Sequence, residues 1–65
     1  MQNFEITLKA ARVNAGLNQD DVAKAMHRSK QTIVNWEKNP GSVKFSEISK
    51  LAELYDIPVD CLKLS

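Results

Sequence analysis

Sixty-five residues, 43% of them apolar, allow one small core and leave no room for a two-layer scaffold. One cysteine, Cys61, excludes an internal disulfide framework, and with one histidine it leaves too few ligands for structural zinc. A net charge of +1 speaks weakly against nucleic acid as a partner, but the charge is unevenly placed.

Residues 22–44 hold five bases (Lys24, Arg28, Lys30, Lys38, Lys44) and one acid, Glu37. Residues 45–65 hold four acids and two bases, and residues 1–21 three acids and two bases. Positive charge is thus focused on the middle of the chain, as a polyanion partner would require. A merely solvated helix face is the plainer alternative. No apolar run approaches the roughly 18 residues of a membrane helix, and no leader-like segment opens the chain. A cytoplasmic single domain spanning residues 1–65 is expected.

In chain order, Asn3 is placed to cap a first helix, with Phe4, Leu8, Ala11 and Ala15 at helical spacing. Gly16 suits a left-handed stop, and Leu17 is expected to turn inward. Asn18 is a good cap for a second helix. Asp20 and Asp21 fall in its first turn, where acids complement the helix dipole. They read as helix stabilisers rather than a catalytic pair. Val22, Ala23 and Met26 form the apolar stripe of this helix.

His27 and Arg28 break that pattern, and Ser29 can cap a third helix. At 100° per residue the third helix divides cleanly. Thr32, Ile33, Trp36 and Glu37 fall on one side. Lys30, Gln31, Val34, Asn35 and Lys38 fall on the other. The first side can pack, and the second carries the amides and lysine that reading base edges requires. Residues 39–42 form an aperiodic loop. Phe45, Ile48, Leu51, Ala52 and Tyr55 then mark a fourth helix, followed by Ile57 as a core plug. Pro58 suits the start of a short fifth helix through about Leu62.

The stretch QDDVAKAMHRSKQTIVNWE, Gln19 to Glu37, resembles the helix-turn-helix of the phage repressor and Cro family, also called XRE-like. Gln19, Ala23, Ile33 and the Trp36-Glu37 ending carry the resemblance. It extends to LKAARVNAGL (Leu8 to Leu17) and LAELYDIPVDCL (Leu51 to Leu62), so nearly the whole chain is covered. The implied fold is all-α, a compact five-helix domain. The chain departs from the family at His27 and Asn39, where glycine is usual. Val43 and Lys44 also depart, standing where proline and a Ser/Thr cap are common.

The resemblance implies sequence-specific binding of duplex DNA, with the third helix in the major groove. Lys30, Gln31, Val34 and Asn35 would meet base edges, and Gln19, Arg28, Ser29, Lys38, Ser42 and Lys44 would meet phosphates. Arg12 and Glu37 would form a structural ion pair. A weak homodimer on a palindromic operator is expected, with Val59, Cys61 and Leu64 at the contact. Neither a cofactor nor a small-molecule ligand is implied, and an enzyme is not expected. The function expected is that of a phage or prophage-type transcriptional repressor. Two rivals stand beside it: the DNA-binding antitoxin of a toxin–antitoxin pair, and a helical interaction module that reads no bases.

Overall fold

The computed structural model describes residues 4–64. Among them are four α-helices: α1 (Leu8–Asn14), α2 (Gln19–Met26), α3 (Lys30–Lys38) and α4 (Phe45–Leu54). Two short strands, β1 (Ile6–Thr7) and β2 (Leu62–Lys63), pair in parallel, Ile6 opposite Leu62 and Thr7 opposite Lys63. Single 3-10 turns cover Pro40–Ser42 and Val59–Cys61.

The fold is therefore mainly helical, but the expected fifth helix is reduced to one turn. Beyond it the chain runs extended to meet β1, which ties the start of the domain to its end. The same pairing corrects the start of α1. Thr7 is the cap, its Oγ1 accepting from the Ala10 amide at 3.1 Å. Asn3 lies outside the described residues. Phe4 precedes the strand and is exposed rather than part of a helical stripe, as Ala15 is at the other end.

Three helices end in the same way. After each, one residue turns left-handed and two crossed amide-to-carbonyl bonds close the last turn. Gly16 (φ 76°) does this for α1, with Leu17 N–H donating to the Arg12 carbonyl. His27 (φ 57°) does it for α2, with Arg28 N–H donating to Ala23. Asp56 (φ 58°) does it for α4, with Ile57 N–H donating to Ala52. Only the first uses glycine, which bears the conformation without steric cost. Helix α3 ends differently. Asn39 has φ −137°, because Pro40 holds the residue before it out of the helical region.

The core gathers Leu8 and Ala11 of α1, Val22 and Ala23 of α2, and Ile33 of α3. Ile48, Leu51 and Ala52 of α4 join them, with Tyr55 and Leu62. Leu17, Met26, Trp36, Val43 and Ile57 pack around this centre, partly buried. The expected apolar face of α4 holds from Ile48 onward, but Phe45 is 72% exposed. The core stops at Ile48, so the first turn of α4 stands beyond it. In that turn Glu47, not an apolar residue, is buried.

Candidate nucleic-acid interface

Helices α2 and α3 are joined by three residues, His27 to Ser29. The left-handed turn at His27 reverses the chain sharply, and Ser29 starts α3 at once. Its Oγ accepts from the Thr32 amide at 3.2 Å, satisfying one of the orphan donors of the first turn. The start of α2 is capped twice over. Asn18 Oδ1 accepts from Asp21 N–H at 2.7 Å, and Asp21 Oδ2 accepts from Asn18 N–H at 2.9 Å. Ala23 is buried, and its single methyl lets the two helices approach closely.

On α3, Ile33 is fully buried and the Glu37 side chain nearly so, while Thr32 and Trp36 are half-buried. Lys30, Gln31, Asn35 and Lys38 are exposed, and Val34 is half-buried at the edge. Gln31 Nε2 donates to Asn35 Oδ1 at 3.0 Å, one helical turn apart. This bond fixes the two amides side by side. Each keeps the groups needed to present a donor and an acceptor to adenine.

Glu37 anchors this helix from behind. Arg12 Nε donates to Glu37 Oε2 at 2.6 Å, and Arg12 Nη2 to Oε1 at 3.3 Å. Arg12 Nη1 also donates to the Leu17 carbonyl at 3.1 Å. Gln19 Nε2 donates to Glu37 Oε1 at 3.0 Å. The start of α2, the end of α1 and the end of α3 are therefore joined at one carboxylate. Gln19's side-chain amide is committed to Glu37, which leaves the amides at the start of α2 as its means of meeting an anion. Tyr55 lies close by, buried. Burial and the Glu37 carboxylate push its phenol up to about 12, partly opposed by Arg12.

Around the exposed face of α3 stand Lys38, Ser42 and Lys44, all exposed. Ser42 Oγ donates to the Asn39 carbonyl at 2.7 Å. Arg28, expected to meet a phosphate, is paired with an acid: its Nη2 donates to Glu47 Oε2 at 2.5 Å. Glu47 carries no signal of its own in the sequence, because an acid in the first turn of a helix reads as a dipole partner. Val59, Cys61 and Leu64 are each half-buried, and Val59 and Leu64 pack on the domain's own core.

A family model for the helix-turn-helix matches residues 8–60. The chain belongs to the phage repressor and Cro-type helix-turn-helix family of DNA-binding proteins. It is 34% identical, over 56 residues, to the cryptic phage CTXphi transcriptional repressor RstR of Vibrio cholerae. The match takes in 86% of this chain and 50% of that protein, so the chain spans about half the length of its curated relative. No solved structure matches. Neither comparison favours an antitoxin or an interaction module that ignores DNA. In this helix-turn-helix, α2 and α3 are the paired helices and α3 is the one with the open polar face. No described helix is long and apolar enough to cross a membrane. No cluster of three His, Cys, Asp or Glu side chains among the described residues fits a metal ion.

Proposed function

We propose that the domain represses transcription by occupying a two-fold symmetric operator as a homodimer. The observation that carries this is the exposed face of α3, where Gln31 and Asn35 are bonded to each other and flanked by Lys30 and Val34. Lys30 reaches guanine acceptors, the paired amides read adenine, and Val34 touches a thymine methyl. Ser29, Lys38, Ser42 and Lys44, with the amides at the start of α2 beside Gln19, hold phosphates and set the register. Arg12 and Glu37 fix the angle at which α3 is presented.

A single copy covers only a few base pairs, so specificity needs two copies about one helical turn apart. Val59, Cys61 and Leu64 lie on the short C-terminal segment, the surface expected to face the second copy. An interface from one 3-10 turn is small, so free dimers are weak and the operator stabilises them.

Selection of bound sequences from a random duplex library tests this reading. The expected product is a palindrome with half-sites separated by about one turn of duplex. Two chains should occupy each duplex at saturation. An asymmetric single site holding one chain would overturn the dimeric model, and no enrichment at all would overturn base reading.

A further inference from the structure

Between α3 and α4 lies a groove of about 350 Å³, lined by Arg28, Lys44, Glu47 and the hydroxyl-bearing Thr32, Ser42 and Ser46. Thr32 and Trp36 form its α3 wall, on the side of the helix one step round from Asn35. Two cations and three hydroxyls would suit a phosphate, but the groove also holds a carboxylate. Glu47 is only 9% exposed, and its partner in the groove is the Arg28 guanidinium. Arg28 is much more open, with 46% of its side chain accessible.

This asymmetry decides which way the pair responds to a polyanion. For Arg28 to leave for a phosphate, Glu47 would stay behind as a buried, unpaired charge. Breaking a buried pair by removing one partner is strongly unfavourable, whereas an exposed arginine gains little from exchanging one anion for another. Arg28 therefore stays on Glu47, and the groove offers one effective cation, Lys44, instead of two.

We infer that Glu47 is a specificity-determining residue: by holding Arg28 neutralised at the DNA-facing groove, it removes one sequence-independent phosphate contact. This rests on the DNA-binding function proposed above. Non-specific affinity comes almost entirely from phosphate neutralisation and counterion release. Base contacts by Gln31 and Asn35 do not depend on it. Removing one phosphate contact lowers binding to random duplex and leaves base discrimination intact, which widens the ratio between operator and bulk DNA. The device requires an acid where the groove otherwise selects bases.

The test is the slope of log affinity against log salt on a random duplex, measured for the whole chain. Glu47→Gln releases the Arg28 charge, so the slope steepens by about 0.9. Affinity then falls about three- to fourfold further than in the wild type between about 50 and 200 mM salt. Adding Arg28→Gln to Glu47→Gln returns the slope to the wild-type value. Glu53 lies outside this groove, in a second one between α2 and α4 with Met26 and Lys50; Glu53→Gln removes that acid and leaves the slope unchanged, which separates the pair from net charge.

The double variant Arg28→Gln with Glu47→Gln strips both charges and leaves no lone one, so it gives an independent reading should Glu47→Gln fold poorly. Its slope stays at the wild-type value, whereas loss of a true phosphate contact would flatten it by about 0.9. A flattened slope in the double variant, an unchanged slope in folded Glu47→Gln, or equal steepening by Glu53→Gln would each overturn the inference. Wild-type protein that binds no duplex at low salt would overturn the DNA-binding function itself, and this inference with it.

Discussion

Arg12 on α1 and Glu37 on α3 form a two-pronged ion pair, 2.6 Å at its shorter contact, with both side chains about nine-tenths buried. Gln19 completes the carboxylate from the start of α2. The pair lies behind the exposed face of α3 and connects three helices at one point. Arg12→Met alone is expected to cost about 3 kcal/mol of stability, because Glu37 is left as a buried lone charge. Replacing both, as Arg12→Met with Glu37→Leu, should cost clearly less than the two single changes added together. Urea melts of the three variants measure the coupling. Additive losses would show that the two residues act independently.

The left-handed positions His27 and Asp56 hold strain that glycine would relieve. A non-glycine residue in this region costs on the order of 1 kcal/mol. His27→Gly and Asp56→Gly are each expected to leave stability unchanged or raise it by up to about 1 kcal/mol, the entropy of glycine in the unfolded chain offsetting part of the gain. His27→Val should lower stability by more than about 1 kcal/mol, since a β-branched side chain tolerates this turn poorly. Thermal melts rank the three, and a stable His27→Val would contradict the argument.

Tyr55 makes the fold sensitive to alkali. Burial, then the Glu37 charge, push its phenol up to about 12 from an ordinary value of 10.0. The folded state therefore holds the proton over a pH range in which the unfolded chain has lost it. This contribution is intact below pH 10 and is lost as pH rises from 10 toward 12. The loss is on the order of 2 kcal/mol. Tyr55→Phe removes it, so the stability gap between wild type and variant should narrow across that window. Two curves that stay parallel from pH 9 to 12 would refute the assignment.

Base reading by the exposed amides predicts a different pattern of loss. Gln31→Ala and Asn35→Ala should each weaken operator binding by about 1–3 kcal/mol and relax selectivity at the base they face. Lys38→Ala, at a proposed phosphate contact, should weaken all sequences alike and flatten the salt slope by about 0.9. Titrations on the selected operator and on random duplex distinguish the two classes. Unchanged operator affinity in both amide variants would place the base contacts elsewhere.

The local features of this protein are legible in its sequence, because neighbours along the chain decide them. Asn18 and Ser29 cap their helices through amides three residues away. Val22, Ala23 and Ile33 are buried because a helix repeats about every 3.6 residues and the apolar positions follow that repeat. The same repeat sets Gln31 and Asn35 together on an exposed face, and Gly16 takes the left-handed turn its flexibility suits.

Periodicity does not say where the core ends. Phe4 and Phe45 fit the helical spacing, yet both are exposed, since no other element among the described residues reaches across to cover them. Leu62 is legible as a core residue, but not as part of a strand. Its strand depends on Ile6, more than fifty residues earlier, and that pairing replaces the expected fifth helix. Nor does the pattern of charges in the chain reveal which charges meet. In sequence Arg28 stands only as a base expected at a phosphate, and nothing links it to Glu47, nineteen residues on. Only the packing of α4 against the turn after α2 brings them to 2.5 Å, as an ion pair.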